Sequence, residues 1–195
     1  MLLERLFGRS PEKPDRRTPA ERLYAAAVDQ ARNPVLFGAG RIPDSVEGRF
    51  EALALHGFLI LHRLKSEGEE GRALAQQFFD TMFADLDRNL REIGIGDLAV
   101  GKRIRLLAEN FYGRIRTYED GLKAPVGVLE AALARNLLTE TPAARIQASS
   151  PAIAPFASTI AAYVRAQTTA LAGESYAKLA EGSVVFAPFA VERAP

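Results

Sequence analysis

The residues of this chain best suited to chemistry are two histidines and a pair of aspartates, and their spacing does not build a catalytic site. His56 and His62 stand six positions apart, about 120° on one helix, whereas histidines that bind zinc from a helix stand four apart. Asp85 and Asp87 face different sides of a helix, so they do not form an acid–base pair. Pairing inside the fold explains His56 better than metal binding, and the two aspartates are interpreted as one core-facing partner for a buried arginine and one solvated charge.

Other signatures of catalysis are missing. The segment GIGDLAVGK, residues 94–102, ends in Gly-Lys but lacks the spacing of a phosphate-binding loop. There is no G-x-S-x-G motif, and the lack of cysteine excludes disulfides, thiolate zinc sites and cysteine nucleophiles. The sequence therefore predicts a protein that is not an enzyme and holds no metal or cofactor, so its function is expected to be binding.

Length and charge narrow the class of partner. With 195 residues the chain fits one domain, and 25 basic against 24 acidic residues leave a net charge of +1. Such a balance gives no overall field that attracts DNA. The longest apolar run, residues 52–61, is half of the ~20 residues that a membrane-spanning helix needs. Leu3 and Phe7, beside arginines, suit a weak interfacial foot on a membrane; the alternative is a frayed terminus.

Capping signals begin an all-α fold. Thr18 and Glu21 predict a capping box for a first helix that ends near Asn33, because a proline follows. Asp44 is expected to cap a second helix over residues 44–66, which is apolar nearly all round and so belongs at the centre of a helical domain.

One polar stripe interrupts the apolar surface of the second helix. Its members are Ser45, Arg49, His56 and Arg63. Because buried charges are rarely left unpaired, we interpret Arg49, His56 and Arg63 as a structural polar stripe. Its expected partners are acids of the third helix, such as Asp80, Asp85 or Asp87.

The rest of the chain continues the helical pattern. A third helix with a broad apolar face ends at Gly94, and a fourth, capped by Asp97, carries an apolar stripe over about six turns. Weaker helical signals cover the following residues: 125–138, 155–172 and 174–180. Residues 183–189 are predicted to be extended. The prediction is a single compact domain of about six to seven helices over residues 18–182, between a flexible segment 1–17 and an extended tail 183–195.

A partner-binding surface is predicted at the edges of the third and fourth helices. The residues expected to form it are Phe79, Phe83, Lys102, Arg103, Arg105, Leu106 and Tyr112. The three aromatic rings lie at the edges of the apolar stripes, and the other four lie off the stripe of the fourth helix. A basic surface with a leucine suits anionic lipid, ribosomal RNA or an acidic partner. The alternatives are core packing for the aromatics, and a solvated face whose leucine is covered by the fifth helix.

Several segments in this order resemble the ubiquinol–cytochrome c chaperone family. The most specific are DSVEGRFE, DTMFADLDRNLREIG and GDLAVGKRI, and the likeness covers residues 23–122. The resemblance implies an all-helical, non-enzymatic factor that helps to build the cytochrome bc complex and acts on newly made cytochrome b.

The same resemblance implies partners and a location. The expected partner is cytochrome b or its nascent chain, with an anionic membrane surface or the ribosome as further possibilities, since eukaryotic members associate with mitochondrial ribosomes. Because no long presequence is seen, we expect a bacterial version at the inner face of the inner membrane, in the cytoplasm. The alternatives are a helical protein that binds haem or a quinone-like lipid, and a peripheral membrane module.

Overall fold

The computed structural model describes residues 16–138 and 155–189, a part of the chain that contains seven α-helices and no β-strand. The helices are α1 (Pro19–Ala31), α2 (Val46–Leu64), α3 (Gly68–Glu92), α4 (Asp97–Lys123), α5 (Val128–Leu137), α6 (Pro155–Ala172) and α7 (Tyr176–Ala180). The predicted all-α fold class is confirmed. Residues 183–189 follow α7 without helix or strand. The predicted membrane foot, with Leu3 and Phe7, lies outside the described residues.

The starts of α1 and α4 show one capping prediction that holds and one that fails. Thr18 Oγ accepts from the backbone N–H of Glu21 at 3.2 Å, and the Glu21 carboxylate accepts from the N–H of Thr18 at 2.6 Å. The predicted capping box is therefore confirmed. α4 instead takes Gly96 as its N-cap, without a side-chain bond. Asp97 does not cap it, because its carboxylate pairs with Arg91 of α3.

The cap of α2 lies one residue later than predicted. Ser45 Oγ, not Asp44, accepts from the N–H of Gly48 at 3.1 Å. The Asp44 carboxylate instead accepts from Arg49 at 2.7 Å, an exposed ion pair. With 58% of its side chain exposed, Arg49 is not part of a buried stripe, and that part of the prediction is wrong.

α2 lies at the centre of the fold, as its composition predicts. It contacts α1, α3, α4, α5 and α6, and residues 51–60 are all buried. A helix that is apolar on every side is stable only when other helices cover all of its faces. At the far end of the bundle, Gly121 lets α5 pack against α4, since a Cβ there would lie 2.9 Å from Cα of Leu129.

A buried ion pair joins α2 to α4. Glu51 and Arg114 are 3% and 6% exposed, and the guanidinium binds both carboxylate oxygens of Glu51. A third N–H of Arg114 is donated to the carbonyl of Asn110 at 2.8 Å. Two-point geometry and additional hydrogen bonds are what allow such a pair to exist in a core.

A neutral hydrogen-bonded chain joins α2 to α6 and α1. Nδ1 of His56 lies 2.7 Å from the carbonyl oxygen of Ala52, which can only accept, so Nδ1 carries the proton. Nε2 then accepts from the hydroxyl of Tyr163 at 3.0 Å, and that hydroxyl accepts from Gln30 at 2.9 Å. Complete burial lowers the pKa of His56 to about 4, and burial raises the pKa of Tyr163 to about 12. Both ring nitrogens are engaged, so His56 offers none to a haem iron.

Arg63, the last member of the stripe, ties α2 to the end of α6. Its guanidinium donates to the carbonyls of Leu171 at 2.8 Å and Glu174 at 2.7 Å, and it pairs with Glu67. His56 and Arg63 are thus buried structural residues as predicted, but their partners are not the acids of α3.

The three aspartates of α3 have other partners because the apolar face of that helix, not its acidic one, packs on α2. Asp85 accepts from the hydroxyl of Tyr24 in α1 at 2.7 Å. Asp80 accepts from Gln76 at 2.8 Å and Asp87 from Arg91 at 2.6 Å, both on the surface of α3. The predicted pairing of these acids with the stripe is therefore wrong.

Replacing Glu51 by alanine is expected to lower the free energy of unfolding by about 3–5 kcal/mol, because Arg114 would keep a buried charge without its carboxylate. Asp44→Ala, which removes the carboxylate of an exposed pair, is the matched control and is expected to cost less than about 1 kcal/mol. Urea denaturation followed by circular dichroism measures both. Equal losses would contradict the assignment.

The stability of the protein is expected to fall as the pH drops from about 6.5 to 4. Over this range the unfolded chain protonates His56 while the folded protein keeps it neutral. The lowered pKa of His56 corresponds to about 3 kcal/mol of free energy of unfolding. This contribution is fully present above pH 6.5 and is lost by pH 4. Unfolding curves of His56→Gln at several pH values should lack this slope, whereas His62→Gln should retain it. If the free energy of unfolding of wild type and of His56→Gln depended on pH in the same way, His56 would not be the cause of the pH dependence.

Candidate binding groove

A groove of about 400 Å³ opens between the C-terminal half of α2, the N-terminal half of α3 and the C-terminal half of α4. Its apolar lining consists of Leu61, Leu64, Ala75, Phe79, Tyr112 and Ile115. Its polar lining consists of His62, Lys65, Arg72, Gln76 and Glu119. Apolar side chains mixed with polar ones in this way are typical of surfaces that bind hydrophobic partners.

Stacked aromatic rings form one wall of the groove. Phe79 lies on Tyr112 with ring centroids 5.2 Å apart, and it contacts Phe83, one turn along α3, at 4.4 Å. Phe111 closes the cluster from the core side, 6.1 Å from Phe83. Phe83 is 7% exposed and Tyr112 is 56% exposed. The structure thus brings the three predicted aromatics together, with Phe83 as a buried support and Tyr112 as the exposed ring.

Glu119, a carboxylate that sequence reasoning missed, also lines the groove. Glu119 of α4 accepts from Lys65 at 2.6 Å and from Nδ1 of His62 at 3.1 Å, which ties α4 to the end of α2. Burial raises the pKa of Glu119, but the hydrogen bonds and charges of Lys65 and His62 outweigh it and hold that pKa below its usual value. The partners stand 54 and 57 residues apart, so no spacing within one helix signals the contact.

The predicted basic residues lie outside the groove, on the first half of α4. Lys102, Arg103 and Arg105 are exposed, and none pairs with a carboxylate among residues 16–138 and 155–189. Helical geometry puts Arg103 about 160° from Arg105, so they do not form one basic face. Leu106 is 55% exposed, and the alternative that the fifth helix covers it is wrong.

One side of α4 nevertheless joins basic and aromatic groups. Arg105 lies two turns before Tyr112 and Arg116 lies one turn after it, all within about 40° around the helix. All three side chains are exposed. This strip, Arg105–Tyr112–Arg116, runs along the edge of the groove, so a partner seated there meets positive charge at both ends.

The described part of the chain offers neither a metal site nor a membrane span. Within residues 16–138 and 155–189, histidine and acidic side chains nowhere gather in a group of three that could hold a metal ion. None of the helices described is both long and apolar enough to cross a bilayer.

Comparison with known proteins gives one family. The profile of the family described as Ubiquinol-cytochrome C chaperone matches residues 39–186. Ubiquinol-cytochrome-c reductase complex assembly factor 1 of Xenopus laevis is 29% identical over 121 residues, which cover 62% of this chain and 60% of the frog protein. The human protein of that name is 28% identical over 116 residues, 60% of this chain and 39% of the human one. The chain thus spans only part of the length of these relatives.

A solved structure extends the likeness to most of the chain. The crystal structure of the Cbp3 homolog from Brucella abortus superposes with a TM-score of 0.72 at 37% sequence identity. The match covers 88% of this chain and 90% of the other.

Alanine substitutions are expected to show which aromatic residue supports the groove from the core and which one forms its surface. Phe83→Ala removes a buried ring, so the free energy of unfolding should fall by about 3–5 kcal/mol. Tyr112→Ala removes a half-exposed ring and a stacking contact, so the loss should be about 1 kcal/mol. Urea denaturation of the two variants provides the comparison. A larger loss for Tyr112→Ala than for Phe83→Ala would show that Tyr112 belongs to the core.

Proposed function

Because the chain belongs to the ubiquinol-cytochrome C chaperone family, we propose that it assists assembly of ubiquinol–cytochrome c reductase by binding newly made cytochrome b. The family resemblance seen in residues 23–122 is confirmed by the profile match and by the named relatives. The relatives are named as assembly factors and the family as a chaperone, which implies a protein that is not an enzyme. The proposed activity is therefore binding and release of a client.

The observation that carries the proposal is the half-exposed Tyr112 ring, stacked on Phe79 at the edge of an apolar groove. A chaperone must offer apolar surface to a hydrophobic client without exposing so much that it aggregates. Tyrosine suits this role because its ring buries a large area while its hydroxyl stays wet. Phe83 and Phe111 pack against the stack from the core side, so the rings lose little conformational entropy on binding.

The size of the groove points to what part of the client it holds. A volume of about 400 Å³ lies near the low end of ligand pockets, about 300–1,000 Å³. It accommodates a few apolar side chains of one client segment, not a whole membrane domain. The remaining surface of the client must then be shielded by the membrane or by other proteins.

Positive charge along α4 suits a client at a membrane. Arg105 and Arg116 flank Tyr112, and Lys102 and Leu106 lie on the adjoining side of the same helix. Anionic headgroups attract such residues over about one Debye length. The proposal includes action beside the inner membrane of a bacterium, at its cytoplasmic face, where the membrane-embedded client is made. Direct binding to anionic lipid or to the ribosome is a further outcome to be measured.

The test is recovery of cytochrome b by tagged variants. In a strain lacking the gene, wild-type protein is expected to restore assembled reductase and to co-purify with cytochrome b after crosslinking. The double variant Phe79→Ala/Tyr112→Ala should recover about tenfold less, the effect of losing one strong aromatic contact. Val126→Ser, at an 89% exposed residue in the α4–α5 turn, is the matched surface control.

Two outcomes would contradict different parts of the proposal. Normal levels of assembled reductase in the deletion strain would refute the assembly role. Equal recovery of cytochrome b by the double variant and by Val126→Ser, with both folded by circular dichroism, would refute the groove while leaving the role in place.

A further inference from the structure

Residues 183–189 lie in a seat formed by α2 and α6, distinct from the groove. α7, just before them, is held to α1 by a hydrogen bond from Arg22 to the carbonyl of Glu181 at 2.8 Å. Beyond that point the segment has neither helix nor strand, so it can leave its seat without unwinding a helix. None of the side chains that contact it here lines the groove.

A buried glutamine binds the backbone of this segment at two points. Gln167 of α6 is 0% exposed, and its amide donates to the carbonyl of Ala187 at 2.7 Å while its oxygen accepts from the N–H of Ala187 at 3.0 Å. Both bonds go to the main chain of one residue, so they recognise the peptide backbone and not a particular side chain.

Two aromatic rings of the segment fill the seat on either side of that glutamine. Phe186 meets the ring of His56 edge-on, with centroids 5.4 Å apart. Phe189 packs on Tyr163 at 4.8 Å and on Phe156 at 6.0 Å. The seat thus selects two aromatic residues three positions apart, and it requires a free N–H on the residue after the first.

We propose that this seat is a second peptide-binding site, which takes a segment of a partner protein of the form aromatic-x-x-aromatic with a residue other than proline directly after the first aromatic. Residues 183–189 are its resident occupant and are displaced by the partner segment. Extended peptides commonly bind proteins in this way, with affinity from main-chain hydrogen bonds and specificity from side-chain pockets. The site goes beyond the proposed function, because it shares no residue with the groove and does not depend on cytochrome b.

The test uses the full chain and a labelled peptide with the sequence of residues 183–189, SVVFAPF. In wild type the resident segment competes from an effective concentration in the millimolar range, so binding should be weak by fluorescence polarisation. Phe186→Ala/Phe189→Ala weakens the binding of the resident segment to the seat and leaves the seat intact. This double variant should therefore bind the labelled peptide at least about tenfold more tightly. Adding Gln167→Leu, which keeps the volume but not the hydrogen bonds, should abolish this gain. The peptide SVVAAPA is the matched control.

Several results would overturn the proposal. These are equal binding by wild type and the double variant, a gain that survives Gln167→Leu, or equal binding of SVVAAPA. A dimer formed at the same concentrations by exchange of residues 183–189 between two copies, seen by light scattering, would refute a separate partner protein as the occupant.

A second measurement covers the case in which the double variant does not fold. In wild type, the N–H of Ala187 is donated to Gln167 and should be protected from hydrogen exchange. Saturating SVVFAPF is expected to accelerate its exchange at least about tenfold, while SVVAAPA leaves it unchanged. Unchanged exchange with both peptides would overturn the proposal.

Discussion

The architecture depends on the polar side chains buried along α2, because each must find a partner on another part of the chain. Glu51 binds Arg114 of α4, His56 binds Tyr163 of α6, and Arg63 binds the carbonyls at the end of α6. Apolar contacts alone allow a helix to slide or rotate at small cost, whereas an unpaired buried charge costs several kcal/mol. These three contacts therefore fix the register of α2 against two neighbours.

The two proposed binding surfaces follow from that fixed centre. With α4 held by Glu51, the edge of α4 that carries Tyr112 stands beside Phe79 of α3, and the groove forms where the two helices meet the end of α2. With α6 held by His56, its buried Gln167 faces residues 183–189. The core is complete without Tyr112, which leaves that ring available to a partner.

The sequence predicts the parts of the structure that depend on local patterns. Hydrophobic periodicity gave the all-α fold and the central place of α2, and the Thr18–Glu21 box correctly marked the start of α1. Patterns within a helix cannot show which distant residue pairs with a buried charge. No spacing along α2 or α4 identifies Arg114 as the partner of Glu51, and Asp85, expected to pair with the stripe, binds Tyr24. Helical spacing places Phe79, Phe83 and Tyr112 at the edges of their helices, and in the structure these rings are in contact. Glu119 and Gln167 bond to residues far away in the sequence, which spacing within one helix does not indicate.

The long separations also order the events of synthesis. His56 and Tyr163 are 107 residues apart, and Arg63 and Leu171 are 108 residues apart. At about 5–20 residues per second, a ribosome needs on the order of 5–20 s to make α6 after α2. During that interval the apolar side of α2 that α6 covers has no partner in the emerging chain. During its own synthesis the chain thus exposes apolar surface, the same condition from which it is proposed to protect its client.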